Sequence, residues 1–219
     1  MIKAIITGAT GMVGEGVLHE ALLSKDVESV LVVNRKPCGV AHPKLKELIV
    51  QDLSDLSSVE KQLVGYNACF FCAGISSVGM KEEAYTKITY DLTLSFAKTL
   101  LKLNPEMTFL YVSGSGTDST EKGGVMWARV KGKTENDLFK LGFKDAYAVR
   151  PGFMNPTKGL KNTLKGYGFI SFFYPVLQPL FSSYASTLSE VGIGMIKAAK
   201  NGSEKKVLEV KDLVKLVKG

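Results

Sequence analysis

Three glycines directly behind an apolar opening run restrict this 219-residue chain more than any other feature. Residues 2–7 read Ile-Lys-Ala-Ile-Ile-Thr, and Gly8, Gly11 and Gly14 follow within Gly-Ala-Thr-Gly-Met-Val-Gly. From there Val13, Val17, Leu18, Ala21 and Leu22 recur at helical spacing. A strand that turns at once into a helix through such a triplet has a separate use for each glycine. Gly8 permits the tight turn, Gly11 lets a phosphate approach the backbone, and Gly14 lets the helix pack close to the strand. The helix start then offers free N–H groups and the positive end of its dipole to an anion. The signal is strong because strand, triplet and helix come in the required order.

Behind this unit, apolar stretches at 29–34, 45–51, 68–73, 108–113 and 146–150 alternate with helical patterns at 56–63, 82–103 and 127–141. The alternation predicts a parallel sheet with helices on both faces, a Rossmann-type doubly wound α/β fold. Near-continuous apolar strands agree, since parallel strands are buried on both sides. A single domain is expected over 1–219.

After Pro151 the pattern changes. No charged residue occurs from Gly166 to Ser189. Residues 152–185 are expected to form a small C-terminal substrate region, as a cap over the cleft or a dimer contact. The uncharged aromatic run 166–181 is costly to expose, so a homodimer is expected. Pro175, Pro179 and neighbouring Ser and Thr residues argue against stable membrane insertion. A helix at 187–200, a short strand at 206–209 and a closing helix at 210–218 complete the reading.

Composition removes several classes. With 45% hydrophobic and 22% charged residues, the chain has the balance of a globular protein. Three cysteines are too few for a disulfide framework. Cys69 and Cys72 lie in an apparent buried strand with their sulfurs on opposite faces, so they read as core residues. His19 and His42 lack partners at metal or nucleophile spacing. No signal-peptide pattern opens the chain, so a cytoplasmic, reducing setting is expected. The net charge of +7 is concentrated in the C-terminal half, without the aromatic–basic motif of a nucleic-acid binder. Nucleic acid is not expected as a partner.

The second strand ends in Asn34-Arg35-Lys36. An NAD-selective site places an acid here for the ribose 2′-hydroxyl. Asn34 has no charge, and Arg35 and Lys36 offer cations to a 2′-phosphate. NADP is therefore expected, with NAD as the second choice.

Together these motifs resemble the short-chain dehydrogenase/reductase superfamily over most of residues 1–155. The glycine spacing is that of its extended and atypical, epimerase/dehydratase-like branches. The resemblance implies a dinucleotide surface built from Gly8, Thr10, Gly11, Met12, Val13 and Gly14, with Asn34, Arg35 and Lys36 at the ribose. It puts Asp52 and Leu53 at the adenine and Cys72, Ala73 and Gly74 along the cofactor. Lys131 would hold the nicotinamide ribose, and Arg150, Pro151 and Gly152 would lie beside the nicotinamide. Ser113, in Tyr-Val-Ser-Gly-Ser, matches the serine that orients a carbonyl. The implied activity is that of an oxidoreductase or epimerase on a small carbonyl substrate that the sequence does not identify. One position departs from the pattern. Trp127 stands where the family has its catalytic tyrosine, four residues before Lys131. An indole N–H donates a hydrogen bond but is no general acid near neutral pH. Two readings stay open: an NADP-dependent enzyme with altered proton supply, and a non-catalytic NADPH-binding sensor or interaction protein.

Overall fold

The computed structural model describes residues 1–162 and 184–219. The aromatic run 166–181, which motivates the dimer expectation, lies outside the described residues, as does most of the expected cap.

The glycine triplet joins β1 (Ile2–Thr7) to α1 (Met12–Leu23). β2 (Val27–Asn34) and β3 (Leu45–Ile49) extend the sheet to one side. A 3₁₀ turn over Ser57–Gln62 leads to β4 (Ala68–Phe71). Next come α2 (Glu82–Thr86), a π-turn at Lys87–Asp91 and α3 (Leu92–Leu103), end to end. The helix expected at 82–103 is thus present, with one wide turn inside it. β5 (Thr108–Val112), α4 (Met126–Phe139) and β6 (Asp145–Arg150) follow. The C-terminal part holds β7 (Phe153–Asn155), β8 (Ala185–Thr187), α5 (Leu188–Asn201), β9 (Val207–Glu209) and α6 (Val210–Lys218).

The seven-stranded sheet runs β3-β2-β1-β4-β5-β6-β9, and every pair in it is parallel. The chain winds outward from β1 to β3, returns to β4 beside β1, and winds outward the other way. Its direction reverses between β1 and β4, where a doubly wound sheet opens its crevice at the strand C-termini.

Strand alternation divides the core. Ile6, Val32 and Phe70 face α1 and α5, among Val17, Leu18, Val191 and Met195. Ile5, Leu31 and Phe71 face the other layer, among Phe96, Leu100, Phe109 and Leu138. Cys69 and Cys72 belong to opposite layers and both are free thiols. Each large apolar side chain buried this way contributes about 1.5–3 kcal/mol over leaving it exposed. Both faces are covered over the sheet centre, so the central strands β4 and β5 are buried at nearly every position.

The parallel pair β7–β8 has no counterpart in the sequence reading. Its strands are three residues long and come from distant stretches of chain, so neither leaves a periodic trace. Thr187 then caps α5: its hydroxyl accepts from the Glu190 backbone N–H, while the Glu190 carboxylate accepts from the Thr187 backbone N–H. This is the capping box that a Thr-x-x-Glu pattern favours.

Candidate functional site

The glycine loop is braced from two sides. The Asn34 side-chain oxygen accepts from the backbone N–H groups of Gly8 (2.9 Å) and Ala9 (3.3 Å). The Thr7 hydroxyl accepts from the Ala73 N–H (3.1 Å), tying β1 to the loop after β4. Gly8 has φ +72°, and a Cβ there would lie 2.6 Å from the Cys72 carbonyl carbon. A Cβ on Gly14 would lie 2.1 Å from the Gly8 oxygen. Both positions therefore require glycine. Thr10 and Gly11 are exposed at the loop tip, while Met12 and Ala9 are buried beneath it and Val13 is half-buried. The result is a backbone-lined cradle at the start of α1, which fits a pyrophosphate.

Asn34, expected at the ribose, is already partly engaged by the glycine loop. Its oxygen serves the loop, and only its amide nitrogen is left over. That nitrogen is buried and has no hydrogen-bond partner, which suits a further acceptor arriving at the loop. Arg35 and Lys36 follow it, both exposed and without hydrogen-bond or ion-pair partners among the described residues.

Across the crevice, β5 ends at Val112 and Ser113 follows it. The Ser113 N–H and hydroxyl both donate to the Val149 carbonyl (2.9 and 3.3 Å). The Lys131 ammonium, on α4, donates to the Ser113 carbonyl. Burial pushes the Lys131 pKa down to about 8, partly opposed by the Glu135 carboxylate one turn further on. Trp127 lies one turn before Lys131. It is half-buried, and its six-membered ring lies 3.4 Å from where a Cβ on Gly116 would stand. The indole thus lies beside Gly116, in the turn closed by the Thr117 N–H on the Gly114 carbonyl. Tyr85 and Tyr111 are buried, and burial raises both phenols above their usual range.

Other expected residues turn elsewhere. The Arg150 guanidinium, expected beside the nicotinamide, is held by two acids and a hydroxyl. It makes a two-pronged pair with the fully buried Glu135 and adds contacts to the Ser119 hydroxyl (2.6 Å) and Glu209 (3.4 Å). A buried carboxylate needs such a countercharge, and Arg150 supplies it. Pro151 and Gly152 still line the end of β6. A Cβ on Gly152 would lie 2.2 Å from the Tyr184 oxygen, so this glycine admits the strand-like approach to β8. Leu53 is buried in the core, so only its backbone is available to a ligand. Asp52 is exposed and accepts from the Ser54 N–H and hydroxyl (2.8 and 2.6 Å), which lower its pKa. Cys72 is half-buried with its thiol pushed up to about 12 by burial, and Gly74 has open space around its Cα.

The sequence reading missed Glu15. This buried acid accepts from the backbone N–H groups of Lys161 (2.8 Å) and Asn162 (2.7 Å). Its signal was an acid between Gly14 and Gly16 in an otherwise apolar first turn. Among the described residues no cluster of His, Cys, Asp and Glu is placed to hold a metal ion, and no helix is long and apolar enough to cross a membrane.

Sheet order, glycine cradle and crevice define a nucleotide-binding doubly wound protein. The model of the NAD dependent epimerase/dehydratase family matches residues 4–121, and the chain belongs to that family. It is similar to the mitochondrial protein FMP52 of Candida albicans, at 29% identity over 98% of each chain. FMP52 of Candida glabrata is 27% identical over 92% of this chain and 87% of that protein. Among solved structures, the enzyme WbmF of Bordetella bronchiseptica in complex with NAD+ superposes with a TM-score of 0.67. It covers 98% of this chain and 76% of that one at 16% identity. The ADP-L-glycero-D-manno-heptose-6-epimerase of Helicobacter pylori gives 0.67 over 99% and 80% at 15% identity. These likenesses show the same extended short-chain dehydrogenase fold. The mitochondrial names of the relatives overturn the expectation of a cytoplasmic setting. That expectation rested on a missing secretory pattern, which bears on export alone.

Proposed function

We propose that this protein binds NADP in preference to NAD and passes hydride slowly between it and a small carbonyl compound. The observation that carries the reading is the end of β2. Asn34 gives its oxygen to the glycine loop and keeps only a donor free, and Arg35 and Lys36 follow as cations unpaired among the described residues. An acid there would accept from a 2′-hydroxyl and repel a 2′-phosphate; this arrangement does the reverse.

When bound, the cofactor supplies the hydride. The chain's own residues bind and orient. Gly8 to Gly14 take the pyrophosphate, Lys131 holds the nicotinamide ribose, and Ser113 polarises the carbonyl. The Ser113 hydroxyl donates to the Val149 carbonyl, so its hydrogen must swing to reach a substrate. Trp127 supplies no phenolic proton at the family's tyrosine position. Losing a general acid costs about 10²–10⁴-fold in rate. Trp127 also favours a second reading, a protein that holds NADPH and signals its presence without turnover. The relatives' names support a mitochondrial site of action.

Calorimetry with both dinucleotides tests the cofactor. A charge-assisted hydrogen bond is worth about 1.5–3 kcal/mol, so NADP should bind roughly 10–100-fold more tightly, and Arg35→Ala should abolish the difference. Equal affinities in the native protein would sink the proposal. NADPH oxidation with a series of small aldehydes and ketones separates the enzyme from the sensor.

A further inference from the structure

Glu15 stands one residue past Gly14, in the first turn of α1, and each of its carboxylate oxygens takes one backbone N–H, from Lys161 and Asn162. The segment it holds comes directly from β7. A turn closes where the Leu160 N–H donates to the Thr157 carbonyl (3.4 Å), with Gly159 at φ +89°. Leu160 packs on the core layer that α1 also buries. One apolar anchor and one hydrogen-bonded anchor thus fix residues 157–162 beside the start of α1. The Lys161 side chain is exposed and has no hydrogen-bond or ion-pair partner among the described residues.

A carboxylate in the first turn suits the helix dipole, but it opposes any anion at the same helix end. A phosphate arriving at Gly11 to Val13 meets that charge unless a cation accompanies it. Lys161 is the residue whose amide Glu15 grips, so its backbone is fixed beside the first turn of α1. The Asn34 amide nitrogen, buried and unpartnered at the same loop, independently marks this place for an acceptor.

We propose that Glu15 is a positioning residue that holds Lys161 at the N-terminus of α1, where the ammonium contacts the cofactor's pyrophosphate. The inference rests on the dinucleotide reading above and adds a phosphate contact that the glycine loop does not contain. It also divides the labour. Arg35 distinguishes NADP from NAD, and Lys161 serves the part that both share.

The test uses the full chain, with NADP, NAD and adenosine 2′-monophosphate as probes; the last has no pyrophosphate. Lys161→Met should weaken both dinucleotides by the same factor, about tenfold, and leave adenosine 2′-monophosphate unchanged in an NMR titration. Lys161→Arg should restore most of the loss. Glu15→Gln should show the same pattern, because an amide presents N–H where one of its two donors requires an acceptor. The double variant should then bind no worse than the weaker single variant. Lys161→Met that binds both dinucleotides normally would overturn the proposal, as would equal weakening of adenosine 2′-monophosphate or additive losses in the double variant. Should Glu15→Gln fold poorly, Lys161→Met and its arginine rescue decide the matter. Native protein that binds neither dinucleotide removes the cofactor reading itself; native binding beside an indifferent Lys161→Met removes this inference alone.

Discussion

Lys131 carries its ammonium into a place that burial makes unfavourable for charge, with the Ser113 carbonyl as its hydrogen-bond partner. Its folded pKa of about 8 lies below the ordinary lysine value of 10.5. Below pH 8 it is charged in both folded and unfolded chains, and the cost of burying it is fully felt. Between about 8 and 10.5 the folded state loses the proton first, so this residue's contribution to stability rises with pH. Cofactor affinity should move the opposite way, because a neutral amine holds a ribose less well. NADP affinity measured by calorimetry should fall above pH 8 in the native protein and stay level to pH 10 in Lys131→Arg. A native profile as flat as the arginine variant's would refute this assignment. Trp127 is the second decisive residue. Residues four apart share a helix face, so a phenol at 127 would stand beside Lys131 in the family's arrangement. Trp127→Tyr should raise NADPH-dependent turnover on small carbonyls by about 10²-fold or more. Unchanged turnover, with cofactor binding intact, would mean that more than the proton donor is missing.

At the scale of elements, the piece that needs most explanation is the loop from β5 to α4. Asp118 organises it, accepting from the Thr120, Lys122 and Gly123 N–H groups (2.9, 3.1 and 2.7 Å). Arg129 of α4 grips it from outside through the Gly123 carbonyl (2.6 Å) and pairs with Glu82 at the start of α2 (2.7 Å). Gly132 lets the helix approach, since a Cβ there would lie 1.8 Å from the Asp118 oxygen. Gly132→Ala must push helix and loop apart, and overpacking of this kind costs typically about 1–3 kcal/mol. Gly124→Ala in the same loop meets nothing within 4 Å and should be close to neutral. Urea unfolding of the two variants checks the contrast, and a neutral Gly132→Ala would show that the loop yields easily. Nothing in Arg-Val-Lys-Gly-Lys marks this glycine in advance. Helical periodicity places α4 but is blind to a contact fourteen residues back.

For the whole molecule, the sheet's reversal between β1 and β4 brings the ends of β1, β2, β4, β5 and β6 to one edge. A ligand seated there touches both halves of the sheet, so its binding should stabilise the entire fold. NADP at one hundred times its dissociation constant contributes about 2.7 kcal/mol. At roughly 2–4 °C per kcal/mol for a chain of this size, the melting temperature should rise by about 5–10 °C. NAD at the same concentration should raise it less. A thermal scan without a shift for either dinucleotide would contradict a cofactor site built on the sheet.

The elements that obey a local rule were legible in the chain. Apolar runs specify buried parallel strands, and three glycines specify the turn into α1. Even Trp127 is readable, because a departure from a motif is itself a local fact. What the tertiary structure decided were the partners of polar groups. Nothing near Asn34 in the chain announces that its oxygen sits on Gly8, 26 residues away. Nothing near Arg150 announces the buried Glu135 that it pairs with. Glu15 had no assignment at all until the chain returned, 146 residues later, to give it the Lys161 amide. Periodicity and turn chemistry act over a few residues, so they are written in the sequence. A buried polar group takes whichever partner the fold delivers, and that delivery depends on the winding of the whole sheet.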